Sequence, residues 1–432
     1  MGKLALLIAA VGVWTGVAPA SSAPAPEPIT YVQAGRLLAD PGTGRVETRK
    51  TLVIRGGRVV EIRDGYTSAS GGTVVDLHDS FVLPGLIDSH VHILDEIGPS
   101  DVLEQVTKTS ADWAIDGAYF AARTLAAGFT TVADLGDDSD GILALRDGIN
   151  AGRIPGPRIL AAGFVGSHGG HGDVFGYRPD VMNLLSSPWL CDGADDCRRA
   201  VRMAVRRGVD LIKIASTGGV MSDTTSGVGQ QMTDEELVAI VQTAHSLGRR
   251  VTCHAHGVDG INAALRAGVD SIEHGAYLDE ESIRLFKQHD AYLVPTLLGG
   301  DTITREAQRP DTWLPPVIRE KALQVGPLMI AMADRARKGG VKFAFGTDSE
   351  VSPHGQNARE FALLVKAGFT PLDAIRTATV WGADHNRLSD QIGSLAPGKM
   401  ADIIAVKGDP LKDVTELERV TFVMKSGRVF RP

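Results

Sequence analysis

Short apolar runs alternating with helical patterns fill the middle of this 432-residue chain. The apolar runs predict strands at Val82–His90, Phe129–Leu135, Arg158–Phe164, Asp210–Ala215, Arg250–His254, Ser271–His274, Tyr292–Thr296 and Lys342–Thr347. Between them, apolar residues recur at helical spacing, as in Ala111–Ala126, Thr233–Leu247 and Gly260–Ala267. Thr233 followed three residues later by Glu236 forms a capping box that marks a helix start. Eight βα units in series predict an α/β fold, a (β/α)8 TIM barrel. A doubly wound sheet is the competitor, but no Gly-rich phosphate turn follows an early strand.

The two ends have another rhythm. Thr51 to Val60, Gly72 to Leu77, Ala401 to Val406 and Val420 to Phe430 are β-rich runs broken by glycine turns. They predict a small β-sandwich domain formed by both chain ends, with parts at 29–83 and 385–432 around a barrel at 84–384. Before it, Lys3, the apolar run Leu4 to Val13 and the small residues Ala18-Pro19-Ala20 form a signal peptide over 1–20, cleaved after Ala20. Residues 21–28 are a Pro/Ala linker. The apolar run is too short to span a membrane, so the expected location is exported, periplasmic or secreted.

Composition narrows the function. The chain is 43% hydrophobic and 22% charged, which excludes disordered, collagen-like and coiled-coil classes. Its net charge of -8 comes without a basic stripe, so nucleic acid is not an expected partner. Of the 3 cysteines, Cys191 and Cys197 flank a polar loop and are expected to pair in an oxidising compartment, while Cys253 lies in an apolar strand as a buried thiol.

Barrel chemistry sits at the C-terminal ends of the strands, and the reactive residue types fall there. His90 and His92 close the first strand and share a face. Lys213 ends the fourth amid isoleucines, where its cation is costly to bury. His254 and His256 end the fifth, His274 the sixth and Asp348 the eighth. Imidazoles and carboxylates are ligands for divalent ions. A lysine among them is suited to a Schiff base or, after reaction with carbon dioxide, to a bridging carbamate. His168 and His171 lie among glycines after the third strand as candidate substrate contacts. The stretch STGGVMSDTTSGVGQQ after Lys213 is either a lid or a surface loop, Asp134 is a candidate partner for a ligand histidine, and His245 and His385 fall in helical patterns.

With PGLIDSHVH, GTDS and PGKMADIIAV around these residues, the chain resembles the metal-dependent amidohydrolase superfamily. GGHGD, IKIASTGGV and HAHG make it similar to the imidazolonepropionase-like branch, which holds Xaa-Pro-type dipeptidases and ochratoxin-hydrolysing amidohydrolases. The resemblance implies two divalent metal ions, most simply zinc, held by His90, His92, His254 and His274, with carbamylated Lys213 between them. It implies Asp348 as a further ligand and the proton carrier, and His256 as facing substrate; His171, read from its glycine-rich loop, would then contact the scissile carbonyl or a substrate carboxylate, with His168 beside it. The implied substrate is a small-molecule amide or dipeptide with a free carboxylate, and the implied assembly a homo-oligomer, an octamer among the options. A cyclic-amide hydrolase, a Schiff-base lyase and a non-catalytic metal-containing periplasmic binding protein are the alternatives.

Overall fold

The computed structural model describes residues 28–136, 139–174, 176–222 and 227–431. The expected signal peptide, and all of the expected linker before Pro28, lie outside these residues. No helix among the described residues is long and apolar enough to cross a membrane.

Four strands open the chain: β1 (Ile29–Leu37), β2 (Glu47–Arg55), β3 (Arg58–Asp64) and β4 (Thr73–Pro84). Eight form the barrel: β5 (Leu86–Val91), β6 (Phe129–Asp134), β7 (Arg158–Phe164), β8 (Leu211–Ala215), β9 (Val251–Ala255), β10 (Ser271–His274), β11 (Tyr292–Val294) and β12 (Lys342–Phe343). Three close the chain: β13 (Ile403–Val406), β14 (Phe422–Lys425) and β15 (Arg428–Arg431).

The first and last groups join in one sheet ordered β15-β14-β13-β4-β1-β2-β3, as both-ends assembly requires. It folds over its own apolar residues, among them Val32, Leu52, Ile54, Ile403, Phe422 and Met424. The Gly56-Gly57 turn thereby meets the Ser426-Gly427 turn.

The barrel strands run parallel in chain order, β5 to β12. The ring closes where the backbone after β12 returns to β5: Ser89 N–H donates to Phe345 O at 2.7 Å, and His92 N–H to Ser349 O at 2.9 Å. The apolar sequence runs land within a few residues of these strands, because both faces of a barrel strand are buried. One expectation is corrected. Val82–His90 is not a single strand: Phe81–Pro84 pairs with β13, and the barrel begins at Leu86. Pro84 lacks an N–H to extend the ladder. Gly85 then turns where a Cβ would lie 2.2 Å from Thr130 Oγ1. Hydropathy does not break there, so only the Pro-Gly pair marks the boundary.

The predicted helices form as Ser110–Ala126, Asp234–Ser246 and Val258–Ala267. Both halves of the Thr233/Glu236 capping box are made. Cys191 and Cys197 are disulfide-bonded, and Cys253 is buried and free. The bridge ties the loop after β7 to the first turn of the helix Ala194–Arg207. Replacing both cysteines by alanine is expected to cost about 2 kcal/mol, the chain-entropy value for so short a closed loop. Urea unfolding of oxidised and variant proteins checks this, and coincident midpoints would refute it.

Candidate active site

Strand alternation carries most of the site. On β5, Asp88 and His90 face inward; Lys213 does so from β8, and Thr252 and His254 from β9. Two residues need more than alternation. Glu273 and His274 are neighbours, and a regular strand would send them to opposite faces. His274 instead adopts a left-handed φ of 68°, which brings its ring to the His90 ring, 5.1 Å away between centroids. Asp348 takes φ 58° and Thr296 φ 49° at the same mouth. Such conformations cost of order 1–3 kcal/mol each and persist where the surroundings demand them.

The ligand-type atoms fall into two groups, each with atoms within 4.8 Å of one another: His90, His92 and Asp348, and His254, His256 and His274. Asp348 Oδ1 lies 3.2 Å from His90 Nε2 and 3.5 Å from His92 Nε2. Lys213 is buried within electrostatic reach of both groups. His171 stacks on His254 with centroids 4.0 Å apart.

A deeper layer aims these rings. His90 Nδ1 donates to Glu273 Oε2 at 2.8 Å, and the Thr252 and Ser271 hydroxyls donate to the other Glu273 oxygen. His274 Nδ1 donates to Thr296 Oγ1 at 2.7 Å, whose own proton goes to Pro295 O. In both rings Nε2 is thereby the nitrogen aimed at the cavity. Asp88 accepts from Asn357 and Thr347 and so locks β5 to the Asp348 turn. Asp134 holds the Ile93 N–H at 2.8 Å, and its charge reaches His92. Glu273 immediately precedes His274 in the predicted sixth strand, and its acidity within an apolar strand was the available signal. Thr296 carried no signal in sequence.

Burial keeps five of the site imidazoles neutral, His90 being the exception. It pushes His92 and His256 down to about 4 and His171 to about 3, and holds His254 and His274 well below the usual range. At His90 burial and Lys213 act downward, but Asp348 and Glu273 more than reverse them. Burial lowers the Lys213 ammonium and so favours its free amine. Against the effect of burial, the surrounding histidines hold Asp348 well below the carboxylate range. Neutral imidazoles at His92, His254 and His274 beside an ionised Asp348 form a donor set suited to divalent cations.

These groups floor a cavity of about 1330 Å³ whose upper walls are apolar, with Trp113, Trp189, Trp313, Leu184, Ile318 and Met329. Of the sequence candidates, His90, His92, His171, Lys213, His254, His256, His274 and Asp348 all line it. His168 does not, which corrects the expectation of a substrate contact. Its ring is 56% exposed and pairs with Asp192 at 2.9 Å, because the glycine turn between His168 and His171 separates their directions. The described part of the loop after Lys213 is wall: Gly218, Gly219 and Val220 are buried; residues 223–226 lie outside the described set. His245 pairs with Asp270, and His385 sits buried against Arg250, both away from the cavity.

The amidohydrolase family pattern matches residues 81–430. The ochratoxinase of Aspergillus niger is 32% identical, across 93% of this chain and 87% of that one. Its crystal structure superposes with a TM-score of 0.82 at 29% identity, over 94% of this chain and 96% of the other. A Xaa-Pro dipeptidase with methionine bound in its active site gives 0.88 at 38% identity, over 94% and 100%. A prolidase in complex with N-methylphosphonate-L-proline gives 0.85 at 30%, over 93% and 99%. Matched along most of its length by this pattern and by these relatives, the chain belongs to the amidohydrolase family and is a hydrolase acting on amide bonds.

Proposed function

We propose that the protein is an exported binuclear metallohydrolase that cleaves the amide bond of an N-acyl amino acid or dipeptide bearing a free carboxylate. The observation that carries this is the pair of ligand-type groups, with Lys213 and Asp348 within charge range of both, beneath a cavity with apolar walls. The ochratoxinase and dipeptidase relatives support the substrate class. Export after Ala20 draws support from the Cys191–Cys197 bond, since such bonds persist in oxidising compartments.

On this reading His90 and His92 would hold one cation, and His254 and His274 the other, with zinc the expected metal. Lys213, whose neutral amine can add to carbon dioxide with formation of an N–C bond and loss of one proton, would supply carbamate oxygens to them. Divalent cations here would polarise the scissile carbonyl and bring the ionisation of water near neutrality. Asp348 accepts the proton of the attacking water and returns it to the departing amine. His171 presents its Nε2 edge toward the substrate carbonyl, since its Nδ1 is engaged by Ser222 Oγ at 2.5 Å.

His256 is the ambiguous member of its group. Ligand histidines nearly always give their second nitrogen a partner, as His90 and His274 do. The His256 Nδ1 is buried and has none among the described residues, which supports a place facing substrate. The test is elemental analysis joined to turnover on a panel of N-acyl amino acids and dipeptides. Two divalent ions per chain and hydrolysis are expected, and metal-replete protein inert on the whole panel would sink the reading. His254→Ala should lose metal with activity. His256→Ala should keep its metal and lose about 10²–10⁴ in kcat/KM. The opposite pattern would exchange the two roles.

A further inference from the structure

A lysine stem packs readily against apolar neighbours, but its ammonium must find acceptors when water is excluded. Lys321 stands on the helix Pro316–Val325, in the crossover between β11 and β12, and is only 8% exposed. Its neighbours Ile318, Ala322 and Val325 belong to the apolar core. The ammonium reaches a different crossover, the one after β8. There it donates to the Gly219 carbonyl at 2.9 Å and to the Ser222 carbonyl. One cation thus grips both ends of a single turn.

That turn is closed internally: Gly219 N–H donates to Ser222 Oγ at 3.2 Å, and Ser222 N–H to Gly219 O at 3.3 Å. It also touches a third crossover, the one after β7. Ser222 Oγ is 2.5 Å from His171 Nδ1. Gly219 lies so close beneath the ring that a Cβ there would come within 2.6 Å of His171 Cε1 and 3.1 Å of His254 Cε1. The same helix that carries Lys321 lines the cavity through Ile318 and Val325.

We propose that Lys321 is a positioning residue for the hydrolysis: its ammonium pins the Gly219–Ser222 turn, and the turn holds the His171 ring against His254 and toward the reacting carbonyl. This rests on the proposed amide hydrolysis. Lys321 itself does not line the cavity. It acts through two backbone carbonyls and one hydroxyl, across three crossovers that sequence proximity does not join.

Lys321→Met keeps the stem and removes the cation, and Ser222→Ala cuts the same chain at its far end. Each is expected to lower kcat roughly 10- to 100-fold, with KM within about threefold and metal content unchanged. The double variant should be no slower than the worse single one, since both break one linkage. Hydrogen exchange should quicken by about tenfold at 217–222 and 168–173 in Lys321→Met. Unchanged exchange, losses that multiply in the double variant, or activity lost together with metal would each overturn the proposal. If Lys321→Met fails to fold, Ser222→Ala carries the kinetic test, and full activity there overturns it. Wild-type protein inert on every amide would instead overturn the hydrolase reading, while exchange would still show whether the clamp exists.

Discussion

Lys213→Ala is expected to lose at least about 10⁴ in kcat/KM and most of its bound metal. Lys213 lies within β8 between Ile212 and Ile214 and is 3% exposed. An ammonium there has no good solvation, and burial favours the free amine. As its carbamate it would supply two anionic oxygens between His90 and His92 on one side and His254 and His274 on the other. Without it, among the proposed ligands, Asp348 is the remaining anion. Metal content of the purified variant, measured beside its turnover, decides the matter. Short carboxylates such as acetate or propionate should restore part of both, because they fit the space the side chain vacates. A Schiff-base role predicts instead that borohydride traps substrate on the wild-type lysine. Full activity in the alanine variant would exclude both chemistries.

The second large effect is expected at Asp348. Its backbone N–H donates to His90 O at 2.8 Å, and φ is 58°. Asparagine tolerates this left-handed region at least as well as aspartate. Asp348→Asn therefore preserves shape and removes only charge and basicity, whereas alanine would add backbone strain. We expect kcat to fall by about 10³–10⁵, with the melting temperature little changed. The His90 imidazole, which Asp348 helps hold above its usual range, should drop. NMR titration of His90 in metal-free protein reads that shift directly. A variant retaining activity within about tenfold of wild type would remove Asp348 from the proton path.

Particular residues show where sequence reasoning reached and where it stopped. The barrel strands were readable because a strand buried on both faces is a continuous apolar run, and β7 and β10 have the expected ends. The capping box at Thr233 was readable because its two partners are three residues apart. That His90, Lys213, His254, His274 and Asp348 would meet in one cavity was readable because polar residues at the ends of buried barrel strands face its mouth. His168 failed because exposure is decided by a turn whose direction glycine leaves open.

What the sequence alone determined is thus whatever repeats or pairs locally: the eight-strand rhythm, the β-rich ends, the placing of ligand-type residues at strand ends. What only the tertiary structure decided is how distant segments meet. The break at Pro84-Gly85 depends on which sheet claims each half of one apolar run. The inward turn of His274 depends on a backbone angle that Thr296 supports through its ring nitrogen. Glu273 beneath His90 and Lys321 behind His171 pair residues 183 positions apart in one case and from separate crossovers in the other. Local pattern is set by backbone period and side-chain polarity, both written along the chain. Hydrogen bonds between crossovers exist only once the barrel has closed and fixed their distances.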